Sequence, residues 1–233
     1  MNRVMALPVL GLLALSGTAR ADVSSTITLT NDYDFRGVSQ SAEDPALQAS
    51  IDYADKKSGW YAGAWASNVN FANADLELDL YSGFTGKTDA GLGWDAGFIY
   101  YTYDESRFNF PEIYAAFSYS LFKAKVAYTN DWDGRDSPGH ANAFYLSADA
   151  NVPMPVTNLS VTGHVGRTIG GAQFDRYTGY GDYTDLSAGV AYKLQKFDLG
   201  LKLVTTDADP KVRTDVGNME TRLVFTVSTM LPW

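Results

Sequence analysis

The side chains that could carry out chemistry in this sequence are two histidines and many carboxylates, with no cysteine. His140 follows the polar run 131–139, whose acids could mimic the clustered acids of a protease at a membrane surface. The same run loosely matches a calcium loop, but it lacks the acidic residue that would close a twelve-residue site. A solvated loop accounts for it better than either site.

A hydrolase would need a serine activated by one of these histidines. Nothing in the sequence places a serine beside His140 or His164. Without cysteine there is also no thiolate nucleophile and no thiolate zinc site. The sequence therefore predicts no enzyme, no metal and no cofactor, and a barrel hydrolase remains only a remote alternative.

Composition narrows the class of protein. The chain of 233 residues has a net charge of -9, which argues against a nucleic-acid partner because phosphate binding needs basic patches. Aromatic residues make up 14% and hydrophobic residues 45%, too many for a disordered chain. This combination is typical of outer-membrane barrels and also fits a secreted β-sandwich.

The first 21 residues have the features of a secretory signal. Arg3 gives a positive start, residues 4–15 are nearly all apolar, and Ala19 and Ala21 form a small-x-small cleavage site. A transmembrane anchor is the weaker alternative, because the apolar run is too short to cross about 30 Å as a helix. We therefore expect a Sec-type signal peptide at 1–21 and a single domain at 22–233, exported to the bacterial outer membrane.

The rest of the chain alternates between apolar and polar residues. Leu76, Leu78 and Leu80, for example, are separated by Glu77 and Asp79. Period two is typical of strands with one apolar face, and no helical period is evident. We expect an all-β fold: a single transmembrane antiparallel barrel of about 12 strands, within a range of 10–14, including a strand over 24–36.

The connections support a barrel over a sandwich. Short links alternate with longer polar ones, as in bacterial outer-membrane barrels, where short turns face the periplasm and long loops face outside. An even number of strands then places both termini in the periplasm. Aromatic residues near the strand ends, among them Tyr53, Trp60, Tyr61, Phe84 and Tyr33, predict two girdles at the membrane interfaces.

If the apolar face of each strand contacts lipid, the other face lines the lumen. Charges cannot face hydrocarbon without a cost of about 2–4 kcal/mol at mid-depth for Lys or Arg, so they belong on that inner face or at the rim. The predicted pore-lining residues are Asp32, Asp34, Arg36, Asp52, Glu77, Asp79, Asp95, Asp149, Lys202, Glu220 and Arg222. Because carboxylates outnumber basic groups, the sequence predicts a pore that favours small cations.

The C-terminal segment predicts how the barrel is assembled. Phe225, Val227, Thr229 and Leu231 alternate up to the terminal aromatic Trp233. A terminal aromatic preceded by alternating apolar residues resembles the closing-strand signal that the bacterial barrel-assembly machinery reads. This segment is therefore the predicted assembly signal.

The N-terminal third carries several specific motifs. They are NDYDFRGVSQS at 31–41, PALQ at 45–48, GWYAG at 59–63, WASNV at 65–69 and ELDLY at 77–81. In these motifs the chain resembles the TorF family of proteobacterial porins. The resemblance implies an outer-membrane barrel with porin activity, and it brings no catalytic residues with it.

Two functions remain open at this point. The first is passive diffusion of small hydrophilic solutes or ions through an outer-membrane porin with a cation preference. The second is a structural or adhesive barrel whose lumen is plugged by an internal network of salt bridges. A barrel of about twelve strands lies between the filled eight-stranded barrels and the open sixteen-stranded porins, so size alone decides neither.

Overall fold

The computed structural model describes residues 21–71, 73–104, 109–131, 142–170, 182–208 and 219–231. The predicted signal peptide up to residue 20, together with His140 and Trp233, lies outside the described residues, so those predictions stay untested. In the described ranges no helix is long and apolar enough to cross a bilayer.

The described chain consists of β-strands and their connections. The strands are β1 (Ala21–Thr30), β2 (Asp34–Phe35), β3 (Val38–Ser39), β4 (Ala46–Asp55), β5 (Trp60–Phe71), β6 (Ala74–Lys87), β7 (Gly93–Tyr103), β8 (Phe110–Tyr119), β9 (Phe122–Thr129), β10 (Ala143–Pro153), β11 (Leu159–Ile169), β12 (Tyr183–Leu194), β13 (Phe197–Thr206) and β14 (Arg222–Leu231).

Twelve of these strands form one closed antiparallel barrel, which confirms the predicted fold class and strand number. Consecutive strands pair in order from β4 to β14, and β1 closes the barrel by pairing with both β4 and β14. Closure leaves no sheet edge, so the main-chain groups of every barrel strand can pair within the sheet.

Alternation along the strands gives the barrel an apolar exterior. Leu76, Leu78 and Leu80 are exposed, whereas Glu77 and Asp79 between them are buried on the inner face. Exposed large apolar side chains occupy the same outward face on the other barrel strands, among them Leu47, Ile113 and Leu223. An apolar exterior around a polar lumen is the reverse of a soluble domain and matches a barrel that is surrounded by lipid.

The two ends of the barrel differ in loop length as predicted. At the end for which the periplasmic side is predicted, here called the inner end, the turns are short: 56–59, 88–92, 120–121, 154–158 and 195–196. At the outer end most connections are longer: 31–45, 104–109, 130–142, 170–182 and 207–221, with 72–73 as the short exception.

The prediction of a strand over 24–36 is wrong at its end. β1 ends at Thr30, and residues 31–45, here called the L1 loop, form a separate two-stranded hairpin from β2 and β3. Arg36 and Gly37 make the turn of this hairpin with φ of 53° and 81°. Left-handed backbone at two successive residues makes a tight hairpin turn, so a strand could not have continued through Arg36.

Candidate functional site

The L1 loop lies inside the outer half of the lumen and is held there by ion pairs. The guanidinium of Arg222, at the outer end of β14, contacts the Asp32 carboxylate through Nε and the Asp34 carboxylate at 2.6 Å through Nη2. Lys202 of β13 binds the other oxygen of Asp34 at 2.7 Å. Asp32 also accepts hydrogen bonds from Ser39 and Ser41, so hydrogen bonds within the loop stabilise it as well.

Arg36, at the tip of the L1 loop, reaches the opposite side of the barrel. It forms an ion pair with Glu112 of β8, which also lies 3.7 Å from Lys125 of β9. The guanidinium carbon of Arg36 lies 4.2 Å from the centre of the Tyr145 ring. Burial disfavours the charged form of Arg36, but the Glu112 carboxylate outweighs that penalty and raises the pKa of Arg36 above its usual value. The loop thus spans the lumen from β14 to β8.

Two predicted pore-lining acids lie beneath the L1 loop. Glu77 is 0% exposed and Asp79 is 7% exposed, and Glu77 accepts a hydrogen bond of 3.0 Å from Tyr103. Tyr33 of the loop packs in the same buried cluster, 5.3 Å from the ring of Trp65. One carboxylate oxygen of each acid has no hydrogen-bond partner among the described residues. Both acids therefore face inward, but the loop separates them from water in the lumen.

The inner half of the lumen is more open. Asp52 and Asp95, on β4 and β7, are only half-buried. Asp52 accepts hydrogen bonds from Ser50 at 2.9 Å and from the Tyr81 hydroxyl, and Asp95 accepts one of 2.6 Å from the Tyr61 hydroxyl. These two carboxylates are held by hydroxyl groups, whereas Asp32, Asp34 and Glu112 are each held by a cationic side chain.

His164 of β11 lies in a third lumen cluster. Its Nδ1 is 2.6 Å from Asp149, and its Nε2 is 2.9 Å from Asp185 and 3.0 Å from the Tyr145 hydroxyl. An ionised carboxylate only accepts hydrogen bonds, so a histidine between two of them donates from both nitrogens. Such a ring has no free site to take a proton from a nucleophile.

The position of serine relative to this histidine differs from the sequence-based expectation. Ser187 of β12 is the register partner of His164, so a serine does lie across from it on the lumen face. The hydrogen-bond partners of His164 are nevertheless two carboxylates and the Tyr145 hydroxyl, so the ring is not placed as the general base that a serine nucleophile needs. Among the described residues, no group of three or more histidine or acidic side chains is arranged so that it could hold a metal ion.

Comparison with known protein families shows to which family the chain belongs. The model of a family described as a bacterial protein of unknown function (Gcw_chp) matches residues 14–231. The chain belongs to this family. Since its description names no function, the resemblance of this Gcw_chp protein to the TorF porins is compatible with the family but stays a prediction.

Solved structures resemble this Gcw_chp protein in fold. The NanC porin aligns with a TM-score of 0.56 and 9% identity over 90% of this chain and 100% of that porin. The KdgM porin aligns with a TM-score of 0.53 and 7% identity over 92% of this chain and 99% of the porin. No curated protein matches the sequence. At these identities the comparison establishes the fold, that of an outer-membrane barrel, and not the solute.

The remaining predicted site residues are spread over the barrel. Asp149 and Lys202 face the lumen and are partly exposed, and Glu220 is an exposed residue just before β14 at the outer end. In the predicted assembly signal, Phe225 and Leu231 are exposed on the outer surface, and Val227 and Thr229 share their strand face. The structure thus places an apolar ridge on the outside of the closing strand.

Sequence reasoning missed several lumen residues. Glu112 and Asp185 were absent from the predicted lining, although Glu112 lies between Pro111 and the exposed Ile113, and Asp185 lies next to the exposed Leu186. Tyr61 was predicted for the interfacial girdle, but it turns into the lumen, while Tyr53 and Trp60 beside it are exposed as predicted. Strand parity was the signal that could have found all three.

Proposed function

We propose that this Gcw_chp protein is a porin-like channel of the outer membrane, through which small hydrophilic solutes diffuse passively. The observation that carries the proposal is a closed twelve-stranded barrel whose inner half is lined by half-buried polar and charged side chains. A packed core would not contain such groups, because burying an unpaired charge is costly.

The same lining supports a preference for cations. The carboxylates on the lumen side are Asp32, Asp34, Asp52, Glu77, Asp79, Asp95, Glu112, Asp149, Asp185 and Asp198, and the basic groups are Arg36, Lys87, Lys123, Lys125, Lys193, Lys202 and Arg222. Fixed negative charge in a narrow, partly desolvated passage raises the local concentration of cations and repels anions.

A second candidate, the plugged structural barrel, is favoured by the L1 loop. The loop crosses the outer half of the lumen, and its pairs Arg222–Asp32 and Arg36–Glu112 are almost fully buried. In the channel proposal this loop narrows the passage, and in the structural alternative it closes the passage.

The cellular context follows from the exterior and the fold. We propose that the apolar surface contacts outer-membrane lipid, that a signal peptide at 1–21 directs export, and that the barrel-assembly machinery inserts the chain. We infer no enzymatic activity, because the histidine in the lumen is bound by carboxylates on both sides.

Conductance of the refolded protein in a planar bilayer distinguishes the candidates. We expect discrete channel openings, and under a salt gradient a reversal potential of the sign given by cation flow. Folding is checked by the shift in gel mobility on heating. Folded protein without conductance would support the plugged barrel, and a reversal potential set by anions would refute the charge argument.

A further inference from the structure

Two tyrosines of the inner lumen lie flat along the barrel wall. Tyr61 of β5, Gly83 of β6, Gly97 of β7 and Tyr114 of β8 are successive register partners and form one row across four strands. The Tyr61 and Tyr114 hydroxyls contact each other over the two glycines. A Cβ at Gly97 would lie 2.7 Å from the Tyr114 hydroxyl, and one at Gly83 would collide with that of Tyr61.

The glycines therefore determine where the rings lie. Without side chains at these two positions, the tyrosine hydroxyl ends can lie directly against the barrel wall. Tyr61 and Tyr114 are both half-buried. The Lys125 ammonium lies over the Tyr114 ring, whereas none of the described cationic side chains lies over the ring of Tyr61. The result is an aromatic surface that faces the passage.

Two carboxylates that form no ion pair with a described residue border this surface. Asp95 binds the Tyr61 hydroxyl at 2.6 Å, and Asp52 lies one register row further out, against Tyr81. Neither acid forms an ion pair within the described part of the chain, although Lys123 and Lys125 of β9 approach Asp95. On the lumen faces of β4 to β8 the one basic residue is Lys87, at the inner turn.

The barrel itself shows which group suits such a surface. The ammonium of Lys125 lies 4.7 Å from the centre of the Tyr114 ring, and the guanidinium of Arg36 lies 4.2 Å from that of Tyr145. In both cases an organic cation on a side chain is placed over a tyrosine face in the lumen. Electrostatic attraction between a cation and the ring quadrupole accounts for this geometry.

We propose that Asp52, Asp95, Tyr61 and Tyr114 form a binding surface for small organic ammonium ions that pass through the barrel. The inference rests on the proposed channel function and specifies its solute class. The carboxylates supply charge attraction for any cation, whereas the ring faces favour a weakly hydrated ammonium with alkyl groups over a strongly hydrated alkali ion.

Reversal potentials with potassium chloride on one side and tetramethylammonium chloride on the other test the proposal. In the refolded wild-type protein we expect the permeability ratio of tetramethylammonium to potassium to exceed the ratio of their mobilities in water. The double variant Tyr61→Leu, Tyr114→Leu removes the rings and keeps the acids. It should lower the ratio about fivefold, in line with cation–π interactions of ~1 kcal/mol, and leave potassium preferred over chloride.

A second double variant keeps the proposal testable if the tyrosine variant does not fold. Asp52→Asn with Asp95→Asn keeps the size of both side chains, and it should reduce the cation preference for both ions. Asp198→Asn is the matched control, because this lumen acid is already paired with Lys193 at 2.6 Å and lies away from the rings. Asp198→Asn should leave the permeability ratio of tetramethylammonium to potassium unchanged.

The outcomes separate this inference from the function on which it rests. A cation-selective channel in which the ratio equals that of the mobilities, or in which both double variants behave like Asp198→Asn, would overturn the ammonium surface alone. A folded barrel without conductance, or one that prefers chloride, would overturn the channel proposal and the ammonium surface with it.

Discussion

The guanidinium of Arg222 lies 2.6 Å from the carboxylate of Asp34, although the two residues are 188 positions apart in the chain. Arg222 begins the strand that closes the barrel, and Asp34 belongs to the loop that follows the first strand. Arg222 is 6% exposed and Asp34 is 9% exposed at the side chain. The strand that closes the barrel therefore also supplies the side chain that holds the L1 loop in the lumen.

Replacing Arg222 by Met should release the L1 loop from the outer lumen. Asp32 would lose its charged partner, and Asp34 would keep only Lys202. Removing one member of a buried pair costs about 3–5 kcal/mol, because it leaves the other charge buried without compensation. We expect a larger single-channel conductance and a lower temperature of the heat-induced gel shift.

Lys193→Met provides the comparison for that experiment. Lys193 pairs with Asp198 at 2.6 Å, but both side chains are about one-third exposed and lie near the inner end of the barrel. An exposed pair of this kind contributes ~1 kcal/mol or less. If Lys193→Met and Arg222→Met had equal effects on conductance, the L1 loop would not be held by Arg222.

Epitope tags test the orientation of the barrel in the membrane. The asymmetry of the loops predicts that tags inserted after Asp136 and after Gly171 reach the cell surface, while a tag after Lys56 does not, because short turns face the periplasm. Labelling of intact cells by antibody, compared with lysed cells, measures this. A surface signal at Lys56 with none at the other two sites would reverse the proposed orientation.

The barrel could be predicted from this sequence because its determinants are local. Alternation such as that of Leu76, Leu78 and Leu80 fixes which face meets lipid, and short polar links fix where one strand ends and the next begins. These signals gave the number of strands and the distribution of loops without any knowledge of which strands pair.

The L1 loop could not be predicted in the same way. Tyr33 and Phe35 alternate with Asp32 and Asp34, so the local pattern is that of a strand. What removes the segment from the wall is its set of distant partners, Arg222 and Glu112 among them, and a single sequence does not show contacts of such long range. The burial of Glu77 and Asp79 beneath the L1 loop could not be predicted for the same reason, because it depends on these long-range contacts.

The outward ridge of β14 gives a prediction on assembly. Phe225 is 47% exposed on the lipid side, so Phe225→Asp places a carboxylate in hydrocarbon within the proposed recognition segment. We expect less heat-modifiable barrel in the outer membrane. Thr226→Asp, which alters the adjacent lumen-facing position, is the matched control and should have a much smaller effect; equal levels for Phe225→Asp and wild type would contradict the role of this ridge.

Burial predicts which lumen acids determine ion selectivity. Glu77 and Asp79 are covered by the L1 loop, whereas Asp52 and Asp95 are half-buried and face the open inner lumen. A permeating ion interacts most strongly with charges that it can approach without an intervening protein layer. The double variant Asp52→Asn, Asp95→Asn should therefore shift the reversal potential towards zero more than Glu77→Gln, Asp79→Asn does.

The two pairs should also differ in stability and in their response to salt. Neutralising Glu77 and Asp79 removes buried charge that has no ion-pair partner in the described part of the chain, and it should raise the temperature of the heat-induced gel shift. The difference in reversal potential between the two double variants should be larger in dilute salt than at about 1 M, where the screening length falls to ~3 Å. A larger loss of selectivity from the Glu77 and Asp79 variant would mean that ions pass beneath the L1 loop, along the side of the barrel that the loop covers.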